Sequence, residues 1–169
     1  MSFIQQSVSQ FLLVLRNMDG WLEKATAYAT QKSFEPDNFV NLRLAPDQFT
    51  LTRQIQSACD TAKFTAARLA GKEAPSHPDT EKTLAELRER VNKCTSYLES
   101  LGAADFAGAE ERRISAQWMQ GKWLSGADYL VRFGIPNFYF HVTTTYAILR
   151  HNGVDVGKRD FLGPVDLKD

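Results

Sequence analysis

The sequence predicts an all-α fold, a bundle of four long helices. Two observations carry this. Four stretches place apolar residues at alternating three- and four-residue steps, the period of a helix buried on one side. Strand-like alternation is confined to one short segment near 112–124. The size agrees: 169 residues, 43% hydrophobic and 24% charged, suit one core, so residues 1–169 read as a single domain with residues 154–169 as a C-terminal tail.

The first helix carries Ile4, Val8, Phe11, Leu15, Met18, Leu22, Ala25 and Ala29 in one stripe over about seven turns. Ser2 and Gln5 have the spacing of a capping box. Phe3, Leu12 and Trp21 widen the apolar face, so more than one neighbour is expected. Residues 34–48 break the period with Pro36, Asn38, Asn41, Pro46 and Asp47, yet hold Phe34, Phe39, Val40, Leu42 and Leu44. They predict a packed first crossover, longer than the ~2–8 residues usual between bundle helices. It allows the first two helices to sit on a diagonal, or to run parallel.

A second helix is expected from about Asp47 to Gly71. Its stripe is Leu51, Ile55, Ala58, Ala62, Ala66 and Leu69, and Gly71 is its cap. Its alanines permit close approach on two sides. The third runs from about Asp79 to Leu101 over Leu84, Leu87, Val91, Cys94, Leu98 and Leu101. Glu86, Arg88, Glu89, Arg90, Lys93 and Glu99 form its expected solvent face. Ile114, Ala116 and Trp118 alternate before Gln120-Gly121, which predicts a short hairpin or an irregular flap. Ser125 and Asp128 start a fourth helix that Gly134 and Pro136 should kink before it continues to Asn152 and Gly153. Residues 154–169 read as an extended tail with Phe161 and Leu162 as anchors.

Several function classes drop out on charge. Lys plus Arg and Asp plus Glu are 20 each. A generic nucleic-acid coat or a polybasic membrane binder needs a positive excess. The N-terminal residues lack a secretory pattern, and no window approaches the ~20 apolar residues of a membrane span. Cys59 and Cys94 lack metal-ligand or redox-pair spacing and read as buried free thiols, which suits the cytoplasm.

Candidate chemistry centres on His141. The chain has three histidines, His77, His141 and His151. His77 sits in a proline-flanked turn. His141 and His151 are about 15 Å and about 80° apart on one helix, so they cannot share an ion while it is intact. His151 lies in the last turn, where histidine suits a helix C-terminus. Asn137, His141 and Thr145 share a face at i, i+4 and i+8, beside a Phe/Tyr-rich row. They are candidates to line a small pocket; the other reading is a buried, hydrogen-bonded histidine. On the second helix Gln56, Asp60 and Lys63 lie together off the main stripe. The simple reading is an Asp60–Lys63 surface ion pair; the other turns Asp60 toward a site. No nucleophile dyad, phosphate loop or dinucleotide fingerprint is present.

Five blocks carry a family resemblance: Leu44-Ala-Pro-Asp-Gln-Phe49, Gln54 to Lys63, Pro136-Asn-Phe-Tyr-Phe-His-Val142, Ala147 to Gly153 and Gly157 to Gly163. They resemble an uncharacterised bacterial domain-of-unknown-function family, grouped with the DinB/YfiT-like bundles, over nearly the whole chain. The resemblance implies an up-down-down-up four-helix bundle with a long first crossover, a kinked last helix and a homodimer. The wider superfamily often binds nickel or zinc through three histidines, one on the second helix and two in H-x-x-x-H on the last, and includes thiol-dependent transferases. His141 matches the first of that pair. Thr145 stands at the second, and Gln54 to Asp60 holds no histidine. Asp60 or Gln56 are the substitutes on offer.

Three functions follow. The first is a non-catalytic or small-ligand-binding bundle with a degenerate metal site at His141. The second is a divalent-metal-dependent enzyme, a transferase or hydrolase, using His141 and Asp60. The third is a structural dimerisation module presenting Phe138–Phe140.

Overall fold

In the computed structural model, which describes residues 1–165, 167 and 168, the predicted stripes become four packed rods. Helix α1 spans Phe3–Gln31 and opens with the expected capping box: the Ser2 amide donates to Gln5 Oε1 at 2.8 Å and the Gln5 amide to Ser2 Oγ at 3.3 Å. Its whole predicted stripe is buried, and Val14 and Trp21 join it. Phe3 does not widen the apolar face. It occupies the first helical position, beyond the packed stripe, and is exposed.

The crossover contains a 3-10 turn, Pro36–Phe39, that buries Phe39. Backbone bonds from Leu51 to Leu42 and from Thr52 to Val40 tie it to the next helix. Helix α2, Leu51–Ala70, starts later than Asp47 because Thr50 is the residue whose hydroxyl caps the Arg53 amide. It ends at Gly71 in the left-handed conformation, as expected. Helix α3, Leu84–Glu99, also starts late, at a capping box between Thr83 and Glu86. Asp79 and Glu81 precede it and are spent on ion pairs instead.

Side-chain pairs fix the directions of the rods. Arg16 meets Glu99 and Asp19 meets Arg88, so α1 and α3 run antiparallel. Asp60 meets Arg90 and Lys72 meets Asp105, so α2 and α3 run parallel. The fourth rod packs antiparallel to α2, through Gln54–His141 and Thr61–Asn137, and parallel to α1, through Phe11–Phe138 and Trp21–Tyr146. The order is up-down-down-up, so the long crossover leaves α1 and α2 antiparallel rather than parallel.

Between α3 and the fourth rod, β1 (Arg113–Ile114) pairs antiparallel with β2 (Leu124–Ser125). The connection between them carries Trp118 on a short 3-10 turn and reverses at Gln120 and Gly121, both with positive φ. Hairpin and flap are thus one object. The fourth rod has three parts: α4 (Gly126–Tyr129), a π-helical turn (Leu130–Gly134) and α5 (Ile135–His151). Pro136 lies in the first turn of α5, where its missing donor is harmless. The expected kink is this π turn, which takes up an extra residue without breaking the rod.

The tail is not simply extended. Residues Lys158–Leu162 form a short helix, α6, after the Gly157 amide donates to Asp160 at 2.8 Å. Phe161 stacks on Trp21 at 5.4 Å, and the Trp21 indole donates to the Asp160 carbonyl at 3.0 Å. Leu162, the other expected anchor, is exposed, since Phe161 takes the inward position. Asp166 and Asp169 of the tail lie outside the described residues. Among those described, no helix is long and apolar enough to cross a membrane.

Candidate functional site

The seam between α2 and the fourth rod is a ladder of matched pairs. Gln54 faces His141, Thr61 faces Asn137, Thr65 abuts Gly134, and Arg68 reaches Tyr129. The α2 members sit at steps of seven, four and three, which keeps them on one face. On the other rod the steps are four, three and then five, and the five spans the π turn. The extra residue brings Tyr129 into register with Arg68. Gly134 is required where the rods touch: a Cβ there would stand 2.8 Å from Thr65 Cγ2.

Along this seam opens a cleft of about 250 Å³. His141, Asn137, Thr61 and Ser57 give it a polar floor; Phe64, Trp118 and Phe133 give it aromatic walls; Arg53, Arg68 and Asp60 also line it. Trp118 arrives from the flap and stacks on Phe133 at 4.7 Å.

His141 is 8% exposed. Its Nδ1 meets Gln54 Oε1 at 2.8 Å, and its ring lies parallel to Phe49 at 6.4 Å. With Gln54 Oε1 accepting, Nδ1 carries the proton and Nε2 presents a lone pair. Burial, then the positive charge of Arg53, holds its pKa below the ordinary 6.5. The imidazole is therefore neutral at pH 7 and can accept a hydrogen bond or a proton.

The other candidates divide. Asn137 lines the cleft, with its Nδ2 donating to Thr61 Oγ1 at 2.7 Å. Thr145 does not line it: the residue is fully buried and its hydroxyl donates to the His141 carbonyl at 2.9 Å. Gln56 faces the α3 side, where its Nε2 donates to Glu81 at 2.8 Å. Asp60 borders the cleft, but its Oδ1 accepts a hydrogen bond from Arg90 Nη2 at 3.0 Å and is ion-paired with Lys63 Nζ, also at 3.0 Å.

Those two cations correct the sequence reading. Arg90 belongs to no solvent face. Its side chain is 1% exposed and pairs with Asp60, Asp79 and Glu81. Lys63 is 1% exposed as well, so its pair with Asp60 is not surface chemistry. Burial alone would raise the Glu81 pKa, but hydrogen bonds from Gln56, its own backbone and Arg90, with the Arg90 charge, hold it below the ordinary value. His77 is half-buried beside this cluster; burial, then Lys63 and Arg90, lower its pKa. Cys59 and Cys94 are buried free thiols, as expected.

Sequence reasoning missed Gln54, Thr61 and Arg68. Their common spacing was a signal, a polar stripe along an alanine-rich helix. It did not name a partner on another rod.

The family of unknown function DUF1993 matches residues 3–162. The chain belongs to this family. A crystal structure of a DinB family member protein from Shewanella denitrificans is 50% identical to this DUF1993 chain, with a TM-score of 0.92 over 96% of this chain and 92% of that one. No curated protein matches.

The superfamily's zinc or nickel site can be tested against the donors of this DUF1993 chain. A structural or catalytic site needs three or four converging His, Cys or carboxylate ligands. Among the described residues no group of three such side chains converges. His141 has an amide beside it, the Thr145 hydroxyl is committed to its own helix, and Asp60 is held by two buried cations. The donor set does not fit the ion, since amide and hydroxyl oxygens hold zinc and nickel poorly.

Proposed function

We propose that this DUF1993 protein is a small-molecule-binding bundle whose site is the cleft between α2 and the fourth rod. One observation carries the reading: a neutral imidazole, fixed by Gln54, stands with Asn137 and Thr61 on the floor of an aromatic-walled recess. Converging polar groups in an apolar setting are the usual anatomy of a ligand site. The volume lies just below the ~300–1,000 Å³ of drug-sized pockets and suits one or two rings.

The test is an amide-resolved NMR screen of a few hundred fragments on the full chain. Hits should cluster their shifts on Asn137, His141 and the Trp118 indole. Hits distributed over the rest of the bundle, with these signals still, contradict the proposal. Homodimerisation is proposed separately. Phe138 is buried on Phe11 and takes no part, whereas Phe140 is exposed on the fourth rod and offers the apolar contact. Light scattering reads the mass: a dimer supports the pairing, a monomer removes it.

A further inference from the structure

We infer that the cleft selects a planar aromatic ring bearing a carboxylate, with Arg68 as the carboxylate's partner. The inference rests on the ligand-binding reading of the same cleft and adds the class of ligand.

The charges on this flank of α2 pair off with one exception. Arg53 pairs with Asp79. Lys63 pairs with Asp60, and Arg90 pairs with Asp60, Asp79 and Glu81. Every carboxylate there is already met by a cation. Arg68 is half-buried in the cleft wall and meets no carboxylate among the described residues. It is the surplus positive charge of the site. A cationic ligand finds the opposite situation, since Asp60 is already held by Lys63 and Arg90.

Arg68 is also held in place. Tyr129 is fully buried, and its hydroxyl accepts from Arg68 Nη1 at 2.7 Å. The guanidinium carbon lies 5.3 Å from the Phe64 ring centre and 5.8 Å from that of Tyr129. One of its five N–H donors is used by the protein. The others form a flat fork, matched to a carboxylate's two oxygens. A guanidinium already fixed by a hydrogen bond and two rings loses little further freedom when it binds.

The walls supply the aromatic preference. Tyr129, Phe133 and Trp118 are near-parallel in a row, with ring centres 5.5 and 4.7 Å apart and interplanar angles of 24° and 28°. The row ends at Trp118, which is 54% exposed. Inside the recess a flat ring packs against these walls and against Phe64, within the same lining as Arg68. On the floor, the lone pair at His141 Nε2 adds a place for a hydroxyl or amino substituent on that ring.

The probes are 2-naphthoate, its neutral analogue 2-naphthylmethanol, the cation 2-naphthylmethylammonium and the non-aromatic cyclohexanecarboxylate. Each is titrated into the full chain by NMR, reading Asn137, the Trp118 indole and the Arg68 Nε–H. Naphthoate should bind about tenfold or more tightly than either the neutral or the cationic analogue. Arg68→Gln should remove that advantage and leave the neutral analogue's affinity alone. Trp118→Ala, on the exposed flap, should instead narrow the gap between naphthoate and cyclohexanecarboxylate. Equal or tighter binding of the neutral or cationic analogue, or an Arg68→Gln variant that keeps the preference, overturns the inference and leaves the cleft as a ligand site. Stillness of all three signals with every probe overturns both.

Discussion

Replacing Arg90 by Met removes the cation at the centre of the α2–α3 ion cluster. The side chain is 1% exposed, so Met preserves most of the packing of its stem while deleting five donors. Its partners are not equally hurt. Asp60 keeps Lys63 and Asp79 keeps Arg53, and both are partly solvated, so each loss is worth at most about 1 kcal/mol. Glu81 is 11% exposed and is left with Gln56, and an orphaned buried charge of this kind weighs about 1–3 kcal/mol. The total is about 3 kcal/mol, at the low end for breaking a buried ion pair, and lowers Tm by about 6–12 °C in a chain of this length. Urea unfolding and calorimetry at pH 7 measure it. The variant also has a pH signature. The Glu81 carboxyl is depressed below 4.5 in the folded protein, so its contribution is present above about 4.5 and lost as pH falls through the folded value. Without Arg90 there is less to lose, and the two stability curves should converge below about pH 4.5. A variant within about 0.5 kcal/mol of the parent at pH 7, or a gap that stays constant down to pH 3.5, would show that Arg90 does not hold Glu81 in the fold.

Gly126→Ala places a Cβ 1.8 Å from the Ala109 carbonyl oxygen and should lose about 3 kcal/mol or more in denaturant unfolding, whereas Gly20→Ala, with open space around it, should gain about 0.5–1 kcal/mol. The His141 imidazole should titrate by NMR below 6.5. Because the folded value is lowered, its contribution to stability falls as pH drops from about 6.5 toward that value, and His141→Asn should flatten that limb of the profile. Diethyl pyrocarbonate should modify exposed His151 first, half-buried His77 next and His141 last. Deleting residues 158–169 should uncover Trp21 and shift its fluorescence to the red, since α6 covers that ring.

The bundle was legible because one-sided apolar periodicity is what a packed rod must have. The stripes of α1 and α2 are buried as read, and that of α3 is buried from Leu84 to Leu98, while Leu101, past the end of the helix, is half-buried. Helix starts were less legible. Asp47 and Asp79 look like starts, but Thr50 and Thr83 make the capping bonds, and only geometry decides which oxygen reaches the third amide. Arg90 was misread for a related reason. On a helix surface an arginine reads as solvated, and its burial depends on Asp60 of another helix and on Asp79 and Glu81 of the preceding segment. At the site, the i, i+4 row of Asn137 and His141 was visible. Their partners Thr61 and Gln54 were not, because pairing across rods is set by register. Pro136 announced an irregularity but not its kind. A break and a π turn begin with the same residues, and packing of Gly134 on Thr65 accompanies the turn.

On the function proposed above, the His141 imidazole serves an organic-ligand cleft and no metal centre. Long-range proton–nitrogen correlation of that ring, in protein purified without chelator and then given one equivalent of zinc, tests it directly. The expected result is a neutral ring protonated at Nδ1 that ignores the zinc. A stoichiometric shift of Nε2 into the metal-bound range would contradict it.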